Sequence, residues 1–348
     1  MSIRTPCAAA LAAASVAALS SPVWAQNTAP LGASARLILA PVSLTLQPGP
    51  SQPETKATDG HTGHTHGLFD SDHAGDFVVV PPALGLNLLD GWFDPWPHTH
   101  YSRRGTPNVH LFRNEPAYLD RDFFLDYTLK HGAEGMEMEV EAEVEYAFTR
   151  RIGIVFEAPY AFLDPDEGER ENGLGDIAIA PRFLLVEFDR FLLSANAEFS
   201  FPTGDEDRGL GSGEAAINFS LSTWTDLGAN FTLQTNAGIE HGLRTDSDAL
   251  TWGGAVTYSF YIGSQPELLR AGGAVRSHFP AGLVNLIAEI RGEHPLDGDE
   301  KGSGTAEVIF GAAYSITPHV EIRGGLTFPA WNPREFDNGL IVGLIYHF

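Results

Sequence analysis

Histidine is the residue type best suited to chemistry in this 348-residue chain, and it gathers in two groups before residue 101. The first group forms an H-x2-H-x-H motif with a further histidine close behind, and the second is an H-x-H pair. Neutral imidazoles at such spacing on flexible backbone can bind zinc, copper or nickel. A solvated, low-complexity tether with incidental histidines has the same composition. The two readings are a plain tether or a zinc or copper site formed by His61, His64, His66, His73, His98 and His100.

A second chemical pattern is the alternation of glutamate with apolar residues over residues 136–148. A helix would scatter these glutamates around its circumference, whereas a strand points successive side chains to opposite faces. A strand therefore carries one wholly apolar face and one face with Glu137, Glu139, Glu141, Glu143 and Glu145. The acidic face could lie in water on a soluble sheet, or line the wet lumen of a membrane barrel whose apolar face meets lipid.

Catalytic constellations are not evident. Ser222, Ser259, Ser277 and His278 could in principle supply a serine–histidine pair, but their spacing matches neither a nucleophile elbow nor a catalytic triad. The single cysteine, Cys7, lies in a segment expected to be removed, so thiol chemistry is not expected either. We therefore expect a protein that is not an enzyme.

Composition narrows the class of protein further. The formal net charge of −24 argues against binding nucleic acid through a basic surface. Beyond the N-terminus, the chain has no run of about 20 apolar residues that would predict a membrane-spanning helix. Residues 1–25 resemble a signal peptide, with Arg4 before an apolar stretch and Val23-Trp24-Ala25 as the cleavage site. The chain is therefore expected to leave the cytoplasm.

Two regimes follow the predicted signal peptide. Residues 26–120 are rich in proline, glycine and histidine and show no clear period, which predicts an irregular periplasmic segment. The apolar stretch 77–92 could plug a barrel, with Trp92, Phe93 and Trp96 as contacts, or the whole segment could hang in the periplasm. Residues 121–348 alternate apolar and polar side chains in segments separated by turn residues.

That alternation predicts about twelve antiparallel strands in an all-β, up-and-down transmembrane barrel. Short connections alternate with longer polar loops, which is the asymmetry of an outer-membrane barrel with short periplasmic turns. Residues 264–282 break the rule, because they should form a short turn and are long. An even strand number places both barrel ends in the periplasm.

The polar face of the predicted strands should line the lumen. Its candidate residues are Glu137, Glu139, Glu141, Glu143, Glu145, Asp176, Arg182, Glu198, Glu289, Arg291, Glu321 and Arg323. A surplus of carboxylates would favour cations in a conduit. Pairing of the glutamates with the arginines would instead make a structural lattice. The sequence leaves both readings open.

Three glycine-rich motifs in the predicted barrel are more specific. They are Gly173-Leu174-Gly175-Asp176-Ile177, Pro202-Thr203-Gly204-Asp205 and Leu210-Gly211-Ser212-Gly213. Glycine permits tight loops and close approach of two backbones, and aspartate can accept hydrogen bonds from loop amides. This arrangement resembles the outer-membrane transporter-like family called "Putative MetA-pathway of phenol degradation". The resemblance implies a barrel that takes up or exports small molecules, aromatic or hydrophobic ones among them, and supplies no catalytic or binding residues.

The sequence thus predicts a channel or transporter-like barrel in the bacterial outer membrane that passes small solutes, including metal-related ones. The alternative is a structural or lipid-interacting barrel with a metal-binding periplasmic tail and no transport. Expected partners are outer-membrane lipid, lipopolysaccharide, a small-molecule solute and the barrel-assembly machinery. The last would recognise the C-terminal strand, which ends in Phe348.

Overall fold

The computed structural model describes residues 77–133, 135–166, 168–263, 270–271, 274–298, 301–331, 333–334 and 336–348. The predicted signal peptide, most of the predicted periplasmic segment and His61, His64, His66 and His73 lie outside these residues. Their predicted roles stay predictions.

Apart from residues 80–120, most of the described residues form strands. In chain order they are β1 (Phe77–Val79), β2 (Arg121–Gly132), β3 (Gly135–Ala147), β4 (Ile152–Pro165), β5 (Glu171–Leu174), β6 (Ile177–Phe188), β7 (Phe191–Phe201), β8 (Ala216–Gly228), β9 (Phe231–Gly242), β10 (Asp248–Tyr261), β11 (Arg270–Ala271), β12 (Ala274–Arg276), β13 (Leu283–Pro295), β14 (Thr305–Thr317), β15 (Val320–Pro329) and β16 (Asn338–His347). A short 3-10 turn lies at Glu206–Arg208. Among these residues no helix is both long and apolar enough to cross a membrane.

Twelve long strands close into a barrel. Each pairs antiparallel with its neighbour, and β10 pairs directly with β13 across the long connection. Closure comes from the pairing of β16 with β2, which runs from Asn338 opposite His131 to His347 opposite Asp122. We call this pairing the seam. The predicted twelve-stranded antiparallel barrel is confirmed.

The outer face of the barrel is apolar. Alternation along each strand points Leu125, Phe219 and Phe310 outward, where they are 44%, 61% and 59% exposed. Soluble monomers rarely expose a contiguous apolar surface of this kind. A continuous apolar band around a closed barrel is the signature of a barrel surrounded by lipid.

The two ends of the barrel differ. At one end the connections are short, as between β6 and β7 or between β8 and β9, and both barrel termini lie there. At the other end most connections are longer, as in residues 202–215 and 330–337, although β2 and β3 are joined there by a short turn and the long connection 262–282 lies at the first end. We call these the short-turn end and the long-loop end.

Residues 96–120 lie inside the barrel, and we call them the plug. Val109, Leu111 and Phe112 form a buried cluster with side chains of the wall that include Ile287, Ile309 and Ile341. These isoleucines occupy inward positions that most strands give to polar residues, and the plug covers them. The sequence left the position of this segment open, and the structure places it in the lumen.

Residues 77–92, which the sequence suggested as the plug, do not fill the lumen; the plug is formed by the later residues 96–120. β1 pairs with β12 instead of entering the barrel, and Leu89 and Phe93 are 88% and 94% exposed. Of the three predicted aromatic contacts, Trp96 is buried, and its indole Nε1 donates to the Leu119 carbonyl at 2.8 Å. An apolar run alone could not distinguish the plug, because the plug is rich in polar residues that pair with the wall.

The sequence did not explain why the connection 264–282 is long. The part of it that the structure describes contacts the N-terminal segment. Its strand β12 pairs with β1, and Val275 and Phe279 pack with Tyr101 of the plug and with Leu283. This connection is long because it covers the plug at the short-turn end.

Candidate functional site in the barrel lumen

A cavity of about 380 Å³ lies between the plug and the long-loop end. Its floor includes Phe112, Arg113 and Asn114 of the plug, and its rim includes Trp252 and Phe336. The wall of the cavity is formed by side chains of β2 to β4, β7 to β10 and β13 to β15. The plug therefore divides the lumen into a filled half and an open half.

Negative charge dominates this cavity. Nine carboxylates line it, against four lysine and arginine side chains. The carboxylates are Glu115, Glu141, Glu143, Glu145, Glu157, Glu198, Glu240, Glu293 and Glu307, and the cations are Arg113, Lys130, Arg291 and Arg323. Such a surplus attracts cations into a confined space.

Part of the glutamate run of β3 is paired. Arg113 of the plug lies 3.3 Å from Glu141 and 3.7 Å from Glu139. Arg182 of β6 lies 3.2 Å from Glu145 and 3.1 Å from Glu115 of the plug. These pairs join the plug to the wall, which is the structural lattice that the sequence offered as one reading.

Another part of the acidic wall is unpaired. Among the described residues, no lysine, arginine or histidine lies within ion-pair distance of Glu143, Glu157, Glu198 or Glu240. Carboxylates brought together without partners must draw in water, cations or protons. The lumen therefore contains two kinds of glutamate, those paired with arginine and those without an ion-pair partner among the described residues.

Two of the predicted lumen residues hold the plug. The Glu289 carboxylate accepts hydrogen bonds from the backbone amides of Phe112, Arg113 and Asn114 at 2.7, 2.9 and 2.7 Å. The Arg323 guanidinium donates to the Leu111 carbonyl at 2.6 Å and pairs with Asp126 of β2, its Nε lying 3.0 Å from Oδ1. An apolar wall could not satisfy this backbone in a buried setting.

The remaining predicted lumen residues are spread along the barrel axis. Arg291 pairs with Glu307 at 3.0 Å in the cavity. Glu321 is buried towards the short-turn end, where Ser315 and Asn285 donate to it at 3.1 and 3.3 Å. Glu137 is exposed near the long-loop end.

Asp176 lies before β6, among the long loops. Its carboxylate accepts hydrogen bonds from the backbone amides of Gly204 and Ser212 at 2.9 and 2.7 Å. Desolvation acts in the opposite direction, but the hydrogen bonds from Ser212 and Gly204 lower the pKa of Asp176. Asp176 thus stabilises the loops and does not project into the cavity lining that the structure describes.

The glycines of the three motifs explain how these loops meet. A Cβ on Gly211 would lie 2.8 Å from the Gly204 Cα, closer than real Cβ atoms come. The Thr203 hydroxyl donates to the Gly175 carbonyl at 2.7 Å, which fixes the same loops. The structure confirms the predicted close approach of two backbones. It also confirms that the aspartate accepts hydrogen bonds from loop amides. The motifs are a loop clamp at the long-loop end.

The histidine pair His98 and His100 lies in the plug at the short-turn end. His100 is buried, and its Nδ1 lies 2.9 Å from Asp120 Oδ2. The rings of His98 and His100 both contact His278, at centroid distances of 5.1 and 5.2 Å. The partners that the structure brings beside His100 were not in the predicted set. They are His110, Asp122 and His347.

These features define a closed antiparallel barrel of the membrane type, with a plugged lumen. Its fold is similar to that of the NanC porin, at 10% identity and a TM-score of 0.46, over 65% of this chain and 100% of that chain. It is also similar to the COG4313 outer membrane channel from Pseudomonas putida F1. That likeness has 10% identity and a TM-score of 0.48, over 69% of this chain and 100% of that chain.

One family profile matches part of the sequence. The profile of the family described as "Putative MetA-pathway of phenol degradation" matches residues 136–272. The matched stretch runs from the glutamate strand through the loop clamp to the connection after β10, so it contains all three glycine-rich motifs. The resemblance is confirmed over that stretch. The comparison with curated protein sequences found no match.

Proposed function

We propose that this protein is an outer-membrane channel for small solutes, with a preference for those that carry positive charge. The observation that carries the proposal is the closed barrel with an apolar exterior around a cavity lined by nine carboxylates and four cations. The match to the MetA-pathway family supports a channel-like role. Of the solutes considered, cations fit this lining better than neutral aromatic or hydrophobic compounds.

We further propose that the long loops face the outside and that the short turns and both barrel ends face the periplasm. The apolar exterior would meet outer-membrane lipid, and lipopolysaccharide would surround the long-loop end. The final strand β16, followed by Phe348, would be the element that the barrel-assembly machinery recognises. The polar lumen, together with the lipid-facing exterior, supports a spanning position over a soluble one.

The plug makes this a gated channel. Residues 96–120 fill the short-turn half of the lumen, so solute that enters the cavity meets Arg113 and Asn114 before the other end. Glu289 and Arg323 hold this part of the plug through its backbone. Passage of solute through the barrel would require these contacts to open.

Ion selectivity in planar bilayers tests the proposal. We expect the variant Glu289→Gln, which loosens the plug, to conduct and to prefer potassium over chloride. Adding Glu143→Gln and Glu157→Gln to it should lower that preference several-fold, because both carboxylates lie unpaired in the cavity. Glu169→Gln is the matched control, since Glu169 is an exposed loop residue. Folded wild-type and Glu289→Gln proteins that both fail to conduct would contradict a channel.

A separate observation favours a second candidate function. The plug is so well paired that the barrel could serve as a structural or lipid-interacting element without transport. The same bilayer measurement separates the two, because a structural barrel stays closed when Glu289 loses its charge and the protein remains folded.

A further inference from the structure

Four side chains that are distant in the sequence meet at the short-turn end of the lumen. They are His100 and His110 of the plug, Asp122 at the start of β2 and His347 at the end of β16. One possible ligand atom from each lies within 4.8 Å of all the others. All four side chains are buried, at 2% exposure or less. In a tetrahedral zinc site, ligand atoms about 2.0–2.1 Å from the metal lie about 3.3 Å apart.

The contacts within this group leave donor atoms unused. Asp122 bridges two histidines, because its Oδ2 lies 2.7 Å from His110 Nε2 and its Oδ1 lies 2.8 Å from His347 Nδ1. The Nε2 atoms of His100 and His347 have no hydrogen-bond partner among the described residues, although both are buried. A buried polar atom without a partner costs free energy, and native structures contain few of them.

Asp120 completes the arrangement from outside the group. Its Oδ2 lies 2.9 Å from His100 Nδ1, so a carboxylate stands directly beside this imidazole. A carboxylate behind a histidine is the usual way in which proteins orient a metal-binding imidazole. Asp120 lies in the plug, directly before β2.

We propose that His100, His110, Asp122 and His347 form a binding site for one divalent transition-metal ion, with zinc as the best match. Three imidazole nitrogens and one carboxylate are a ligand set that zinc accepts in tetrahedral geometry. Asp120 is a positioning residue that orients His100. The site stands whether or not the barrel conducts, because its ligands are positioned by the plug and by the pairing of β2 with β16, and among them only His110 also lines the cavity.

Such a metal would join three parts of the molecule. Two ligands come from the plug, one from the first strand of the barrel and one from the last. Asp122 and His347 also stand directly opposite each other in the seam. Metal binding would therefore stabilise the plug and the closed ring together, because a site assembled only on folding contributes its binding free energy to the fold.

The competing explanation is a hydrogen-bonded cluster that holds protons only. It accounts for the contact of His347 Nδ1 with Asp122 Oδ1. It leaves further buried atoms without a hydrogen-bond partner among the described residues, namely both ring nitrogens of His100, Nε2 of His110 and of His347, and Oδ2 of Asp122. A metal ion would take one ligand atom from each of the four side chains.

The test uses the full chain, refolded in detergent with zinc, in a background where His61, His64, His66 and His73 are replaced by asparagine. This background removes the tail histidines as a second source of binding. Metal content is measured after gel filtration with a chelator, and cobalt is substituted for a visible spectrum. Folding of every variant is checked by the heat-dependent migration of the barrel on gels.

We expect about one zinc per chain to survive the chelator, and cobalt to give the strong visible bands of tetrahedral coordination. His110→Gln should abolish both signals, whereas His241→Gln should keep them, since His241 lies at the long-loop end beside Asp248. Asp120→Asn should weaken binding about 10–100-fold. If a variant does not fold, the cobalt spectrum of the protein that keeps all four ligands decides between a metal site and a cluster that holds protons only. Zinc that washes out, octahedral cobalt, or full binding by folded His110→Gln would each overturn the proposal.

Discussion

The two halves of the lumen use the same strand pattern in opposite ways. At the long-loop end, inward side chains surround a cavity of about 380 Å³, and Glu143 and Glu157 remain unpaired among the described residues. Where the plug fills the lumen, inward side chains such as Ile309 and Arg323 are buried against it. Alternation decides only which side chains point inward. An inward charged side chain that lies beside the plug forms ion pairs or hydrogen bonds with it. One that lies beside the cavity remains available to solute.

The largest difference between the halves should appear when an arginine is removed from each. Arg323→Met leaves Asp126 buried without its cation and the Leu111 carbonyl without its donor. We expect a loss of about 3–5 kcal/mol in the free energy of unfolding, because a buried charge has lost its partner. Urea unfolding in detergent measures this loss.

The matched control is Arg291→Met at the other end. Arg291 pairs with Glu307, but its side chain is 47% exposed to the cavity. We expect a change of about 0–1 kcal/mol, as for other solvated ion pairs. Equal losses for the two variants would show that the halves do not differ in the way described.

An apolar truncation should give the next largest effect. Ile309→Ala removes a fully buried side chain that packs against the plug. The transfer and cavity costs together predict a loss of about 2–5 kcal/mol in the free energy of unfolding. Thr251→Ala, in the lining of the cavity, should change stability by less than about 0.5 kcal/mol. A loss for Thr251→Ala as large as that for Ile309→Ala would mean that the cavity is also packed.

The loop clamp should show the smallest effect and a distinct pH dependence. Asp176→Asn removes the charged acceptor for the amides of Gly204 and Ser212, which we expect to cost about 1 kcal/mol at neutral pH. Because the folded pKa of Asp176 is lowered, its contribution is complete above the unfolded pKa of about 3.9. The contribution is lost as the pH falls through the lower folded value.

Thermal unfolding of the two proteins at several pH values checks this prediction. The difference in Tm between wild type and Asp176→Asn should be present at pH 7 and should shrink below pH 4. A difference that stays constant down to pH 2 would rule out the carboxylate as its source.

The sequence was sufficient to predict the barrel, because the alternation that defines the inner and outer face of each strand is a local pattern. The period of two around Leu125 or Phe310 decides inside and outside without knowledge of any partner. The glycine motifs were also readable, since close approach at Gly204 and Gly211 depends on the absence of a side chain. The family resemblance rested on the same short stretches.

The plug and the histidine group could not be predicted in this way. Inward isoleucines such as Ile309 were visible as exceptions to the polar face, but nothing local identifies what covers them. Asp122 and His347 are 225 residues apart, and only closure of the ring brings them together. The apolar run 77–92 drew attention for its hydropathy, whereas the true plug is held by polar contacts that hydropathy does not report.

The seam also has a consequence for the order of assembly. The plug precedes β2 in the chain, yet its contacts with Glu289 and Arg323 span 177 and 212 residues. Contacts of such separation form late, because a long loop must first be closed. Entry of the plug and meeting of the first and last strands therefore both depend on contacts between distant parts of the chain, and we expect both to form late in assembly.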